Sequence, residues 1–119
     1  MKNKKIILVT GASRGLGLEI VKGLVKKGYL VIATSRRKSS HLEELIIKLP
    51  NKIFFEGFDL KNYDRIRNFI DRIHNKYGKL YGLVNNAAVG YDGILATMHE
   101  SEINEILNIN LKAPILLCK

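Results

Sequence analysis

The 119-residue sequence predicts an α/β fold: a doubly wound sheet of parallel strands with helices on both faces. Two observations carry this. Short apolar runs alternate with amphipathic helical patterns four times in succession, and a parallel sheet needs helical crossovers of that kind, which are right-handed. The residues capable of chemistry also gather just after the apolar runs, where ligands bind in such sheets.

Lys5 to Thr10 is a strand, because four apolar residues (Ile6, Ile7, Leu8, Val9) sit in a run too short for a core helix. Gly15 to Lys27 is a helix with Leu16, Ile20, Val21 and Leu24 on one face, closed by Gly28. Tyr29 to Thr34 is a strand rich in β-branched residues, followed by a polar turn from Ser35 to Ser40. A short helix covers Leu42 to Leu49 and stops at Pro50, and Ile53 to Phe58 is the third strand. Ile66, Phe69, Ile70, Ile73 and Tyr77 then make the clearest helical stripe, ended by Gly78. Leu80 to Asn85 is the fourth strand. A loop from Asn86 to Thr97 precedes a last helical pattern from about Glu100 towards the C-terminus.

Composition bounds the function. The chain has room for one domain, 1–119, and its 46% hydrophobic and 26% charged residues are ordinary for a globular protein. The single Cys118 forms no internal disulfide and there is no sign of an oxidising compartment, so a cytoplasmic protein is expected. The basic start before Ile6 imitates a secretory signal, but its apolar stretch is too short and runs into Gly11 and Arg14. No run approaches the roughly 18 apolar residues of a membrane span. Nothing in the sequence suggests a metal site. The net charge of +9 suggests an anionic ligand or a lysine-rich solvated surface. Nucleic acid is not the expected partner, because along the chain the aromatic residues are not interleaved with the basic ones.

Gly11, Gly15 and Gly17 follow the first strand with the spacing G-x3-G-x-G. Glycines allow a tight turn and close backbone approach, and a helix starting near Gly15 aims free N–H groups at a pyrophosphate. A bare tight turn is the alternative, although Arg14 inside it suits a phosphate better. In dinucleotide sites a carboxylate about 20 residues beyond the glycines favours NAD. Here that region carries Arg36, Arg37 and Lys38, and no acid occurs between Glu19 and Glu43. The cations suit a 2′-phosphate, so NADP(H) is expected over NAD(H); an ordinary basic turn is the alternative. Asp59 ends the third strand, as a ligand-facing acid or as a turn acid before Asn62. Asn110 falls seven residues after Ile103 on an apolar stripe, which predicts burial there. It would either bond back to its helix and bend it or serve chemistry.

Three motifs in chain order, Thr10-Gly11-Ala12-Ser13-Arg14-Gly15-Leu16-Gly17, Asp59-Leu60 and Asn85-Asn86-Ala87-Ala88, closely resemble the short-chain dehydrogenase/reductase family, in particular its 3-oxoacyl-carrier-protein reductase-like members. The resemblance covers essentially the whole chain and implies a Rossmann-type NAD(P)-binding domain with sheet order 3-2-1-4-5-6-7. It further implies that Ser13, Arg14 and Leu16 contact the pyrophosphate and 2′-phosphate region, beside Arg36. Asp59 would meet the adenine amino group with Leu60 close by, Asn86 and Ala87 would line the ribose side, and Asn110 would hold a water in the proton relay. Ala88 stands where the family usually has glycine.

The family's chemistry is hydride transfer between nicotinamide and a small-molecule carbonyl or alcohol, driven by a tyrosine with a lysine four residues later. Four residues after Tyr29, Tyr63, Tyr77, Tyr81 and Tyr91 come Ala33, Arg67, Tyr81, Asn85 and Leu95, none of them lysine. The reading is therefore the coenzyme-binding portion of an NADP(H)-dependent oxidoreductase, an incomplete sheet of about four strands cut before the catalytic part and inactive alone. A full-length form would be a homo-oligomer; the fourth strand and the apolar tail from Ala113 to Cys118 would make this chain alone prone to associate. The alternative is a non-enzymatic nucleotide-binding or interaction remnant.

Overall fold

The computed structural model describes residues 5–87, 99–107, 110–111 and 113–118. Four parallel strands, β1 (Ile6–Thr10), β2 (Leu30–Ser35), β3 (Ile53–Gly57) and β4 (Gly82–Val84), form one sheet in the order β3-β2-β1-β4. The connections are α1 (Gly15–Lys26), α2 (Ser40–Lys48) and α3 (Ile66–Tyr77), the last entered through a 3₁₀ turn over Tyr63–Arg65. Two further helices follow, α4 (Glu100–Leu107) and α5 (Ala113–Cys118). The order places β1 between β2 and β4, so the chain reverses its direction of travel across the sheet after β3.

Strand alternation sends successive side chains to opposite faces, and both faces here are covered. Ile7, Val9, Val31, Ala33 and Ile53 pack with Leu18, Val21 and Val25 of α1 and Leu42 of α2. Leu8 and Ile32 pack on the other side with Ile66, Phe69 and Ile73 of α3 and Ala113 and Leu117 of α5. The α3 stripe is thus the one its periodicity predicts. The stripe of α1 is not. Leu18, Val21 and Val25 are buried, Ile20 and Leu24 pack at the margin, and Leu16 is 69% exposed. Leu16 lies in the first turn, beyond the end of the strands that the rest of α1 covers.

Boundaries elsewhere differ by one or two residues, as fraying and capping dictate. Ser39 caps α2 by accepting from the Leu42 amide at 3.1 Å, which starts that helix two residues earlier than the apolar pattern does. β4 is three residues long against a predicted six, because only Gly82 to Val84 pair with β1. Gly28 and Gly78 end α1 and α3 with φ of +97° and +89°, a region that side chains disfavour. The predicted loop over 86–97 lies outside the described residues beyond Ala87.

Asn110 is exposed, not buried. Its expected burial extended the Ile103 register by seven residues through an unbroken α-helix. Instead α4 ends at Leu107, and Asn110 and Leu111 lie in a π-type turn before α5, which rotates later residues out of that register. Leu107, Leu111 and Ile115 are exposed apolar residues of this region.

One charged side chain is buried in β3. Glu56 accepts from the Tyr77 hydroxyl at 2.5 Å and from Lys76 at 2.9 Å, and Arg72 stands 3.6 Å away. These contacts fasten the end of α3 to the edge strand. Burial pushes the Glu56 carboxyl up, but the hydrogen bonds from Tyr77 and Lys76 and the two cations outweigh it, so the group titrates below its ordinary value of 4.5. A carboxyl depressed on folding stabilises fully above its unfolded pKa, and that contribution disappears as the pH falls through the folded value. Glu56→Gln is therefore expected to lower the unfolding free energy at neutral pH by about 1–3 kcal/mol. It should also flatten the loss of stability below about pH 4.5, as urea titrations at neutral and acid pH would register.

Candidate functional site

The C-terminal ends of the strands converge on the glycine turn between β1 and α1. Thr10, the last residue of β1, is buried, and its hydroxyl ties this turn to the end of β4. The oxygen accepts from the amides of Asn86 and Ala87, each at 3.0 Å, and donates to the Val84 carbonyl at 3.4 Å. The Asn86 side-chain amide donates to the Gly11 carbonyl at 3.2 Å. Gly11, Asn86 and Ala87 are thereby locked together across 75 residues of chain.

Each glycine has its own reason. Gly11 has φ +62°, and a Cβ there would stand 2.9 Å from the Ala87 Cα. A Cβ on Gly17 would lie 2.0 Å from the Gly11 carbonyl oxygen, so only glycine lets α1 approach the turn this closely. Gly15 also has a left-handed φ, +59°, but open space surrounds it. That open side is where α1 begins. Arg14 precedes it in extended conformation, no side chain caps the first turn, and no acid lies in it. Uncapped first-turn amides at the positive end of a twelve-residue helix are a site for an anion.

The β2–α2 loop is fastened to the same turn. The Ala12 amide donates to the Thr34 carbonyl at 3.2 Å. The Ser39 hydroxyl that caps α2 also donates to the Ser13 carbonyl. Ser35 donates to the Arg37 carbonyl at 2.7 Å, shaping the loop that carries Arg36, Arg37 and Lys38. Arg14, Leu16 and Arg36 are exposed around this assembly, and Ser13 is half-buried. Neither arginine has an ion pair among the described residues.

Asp59 follows β3 at the same end of the sheet, half-buried. Its Oδ1 accepts from the Lys61 amide at 3.0 Å and its carbonyl from Asn62 at 2.9 Å, so it does shape the local turn. Leu60 is buried in the core on the α3 face. Asn110 is placed in the turn between α4 and α5; Ala88 lies outside the described residues.

Two hydroxyl residues at this end have no role assigned from the sequence. Thr10 opens the glycine motif and fixes the geometry of the turn. Thr34, beside Thr10 in the sheet, is 2% exposed and its hydroxyl oxygen has no hydrogen-bond partner among the described residues. A buried hydroxyl left unpaired costs about 1–3 kcal/mol. Open space beside Gly15, uncapped amides, flanking arginines and an orphaned hydroxyl together fit a phosphorylated nucleotide. No cluster of metal-ligating side chains occurs among the described residues, and no described helix is long and apolar enough to cross a membrane.

A parallel sheet with a glycine turn feeding an uncapped helix defines a dinucleotide-binding fold. Comparison with known proteins makes the class specific. The family model for the short chain dehydrogenases matches residues 5–119, and the chain belongs to that family. It is 35% identical to the 3-oxoacyl-(acyl-carrier-protein) reductase FabG of Staphylococcus aureus, over 94% of this chain and 47% of that one. It is 32% identical to FabG of Buchnera aphidicola, over 98% of this chain and 48% of the relative. Among solved structures, a metagenomic short-chain oxidoreductase in complex with NADP superposes with a TM-score of 0.87 at 36% identity, over 95% of this chain and 52% of its own. A short-chain dehydrogenase from Streptomyces avermitilis gives 0.88 at 30% identity, over 98% and 42%. The chain spans about half the length of the curated relatives it matches.

The close approach at Gly17 predicts a sharp contrast with Gly23, which lies in the same helix with nothing near its missing Cβ. Gly17→Ala should abolish the cooperative thermal transition or lower its midpoint by many degrees. Gly23→Ala should raise stability by about 0.5–1 kcal/mol. Parallel thermal melts of the two variants test this.

Proposed function

We propose that this chain is the coenzyme-binding portion of an NADP(H)-dependent short-chain oxidoreductase acting on a small-molecule carbonyl or alcohol. The observation that carries the reading is the uncapped start of α1, with open space at Gly15 and with Arg14 and Arg36 at its sides. When bound, NADP(H) supplies the hydride. The amides of α1 hold the pyrophosphate, with Ser13 and Leu16 beside it, and Arg14 and Arg36 pair with the 2′-phosphate. Thr34 offers its hydroxyl to the adenosine end. Asp59 receives the adenine amino group on the carboxylate that also shapes its turn, and Leu60 sits beneath it. Asn86 and Ala87 border the ribose, held in place by Thr10. Asn110 serves the proton relay through water, a role its exposed position leaves accessible. The absence of any acid between Glu19 and Glu43 supports NADP over NAD, since the ribose-binding carboxylate that would favour NAD has no candidate there. The neighbouring structures include complexes with either coenzyme.

Two outcomes are expected. In calorimetric competition, 2′,5′-ADP should bind more tightly than 5′-AMP, and Arg36→Asp should remove the difference. Equal binding of the two nucleotides by the unaltered protein would overturn the NADP assignment. The 119 residues contain no Tyr-x-x-x-Lys pair. By themselves they should therefore bind the nucleotide yet leave NADPH unoxidised in the presence of a 3-oxoacyl thioester, as absorbance against a buffer blank would show. Turnover above that blank would require another proton donor. Binding with no turnover, even when a Tyr-Lys-bearing C-terminal half of a relative is supplied, would favour a nucleotide-binding protein without enzymatic activity.

A further inference from the structure

The end of the sheet opposite the glycine turn has a surface of its own. Here the strands begin, and their registers bring together residues far apart in the chain. The Lys5 carbonyl accepts from the Leu30 amide, the Lys52 carbonyl from Val31, and the Tyr81 amide donates to the Ile6 carbonyl. In the order β3-β2-β1-β4 this gathers Lys52, Tyr29, Lys5 and Tyr81, each the residue just before one strand, along one end of the sheet, with neighbouring strands about 4.8 Å apart. The row alternates cation and ring. Tyr29 and Tyr81 stack with centroids 6.0 Å apart, and the Lys5 ammonium lies 4.6 Å from the centre of the Tyr81 ring. Tyr81 nevertheless remains 58% exposed. Lys27 and Lys79 stand beside the row, exposed.

The charge here is of one sign. Residues 26–30, 50–53 and 78–82 contain no Asp or Glu, and Lys27, Lys52 and Lys79 make no ion pair among the described residues. Lysines in the last turns of helices have a local role, offsetting the negative end of the helix dipole, and Lys26, Lys48 and Lys76 occupy such places. Lys5, Lys52 and Lys79 lie outside every helix, so that account does not reach them. An acidic protein surface would be served by the charge alone and has no use for the exposed Tyr81 ring, which rests on the half-buried Tyr29. Single-stranded nucleic acid uses both, since phosphates meet the cations while bases meet π-faces.

We propose that this row is a binding surface for single-stranded nucleic acid, low in sequence preference and separate from the nucleotide site at the other end of the sheet. Cation and ring are not interleaved along the chain; they become so across the strands.

Fluorescence anisotropy with the full chain and a fluorescein-labelled oligouridylate of about twenty nucleotides tests this, against a duplex of equal length and against polyglutamate. The single strand should bind more tightly than either. Tyr81→Ala should weaken it about fivefold or more, and the pair Lys52→Ala with Lys79→Ala should reduce the slope of affinity against salt by about 1–2. Saturating 2′,5′-ADP should leave binding unchanged. Displacement by 2′,5′-ADP would put the oligonucleotide in the glycine turn and overturn the proposal. So would a folded Tyr81→Ala protein with undiminished affinity, or polyglutamate captured as tightly as the single strand. Should Tyr81→Ala fail to fold, the exposed lysine pair decides: an unchanged salt slope overturns the proposal.

Discussion

The contact between Gly17 and the Gly11 carbonyl is the constraint on which the rest of the site depends. A methyl group at Gly17 would overlap that oxygen at 2.0 Å, so α1 could not start where it does with any other residue there. Because it starts there, its first amides face the open side of Gly15 instead of burying themselves on the strand. The same carbonyl accepts from Asn86, which makes the approach of α1 and the end of β4 a single arrangement.

From that contact the site spreads by backbone groups more than by side chains. Thr10 binds two amides of the Asn86–Ala87 segment, and Ser39 at once caps α2 and holds the Ser13 carbonyl. Polar groups satisfied in this way cannot drift without exposing buried donors or acceptors, each costing about 1–3 kcal/mol. The arginines are exposed side chains on this hydrogen-bonded frame. Thr34 is the exception, a buried hydroxyl unsatisfied among the described residues. A shortfall of polar partners in an otherwise satisfied region belongs to function more readily than to folding.

The sheet has two ends with different physics. At the carboxyl ends, loops carry glycine, hydroxyls and arginine around a helix N-terminus. At the opposite end, helices finish and strands begin, and lysines gather against stacked tyrosines. Between them, apolar side chains pack on both faces, and the two ends are separated by the length of the strands. Among the described strands Glu56 is the one acid, and it bonds to α3 instead of facing either end.

The sequence by itself determined the alternation of strands and helices, the breaks at Gly28, Pro50 and Gly78, and the family. These rest on local chemistry: periodicity, turn residues and motifs are properties of neighbours in the chain. The glycine turn was legible for the same reason. The tertiary structure alone decided which face of α1 is buried, leaving Leu16 exposed, and that Asn110 stands in a π-type turn outside the register Ile103 suggests. It alone decided that Thr10 and Thr34 are neighbours in the sheet, that Glu56 is paired, and that Lys5, Tyr29, Lys52 and Tyr81 share a row. In each case the partner lies on another element, and a contact across strands leaves no periodic trace along the chain. Close approach, burial and cross-strand neighbourhood come into being only when the sheet closes its registers.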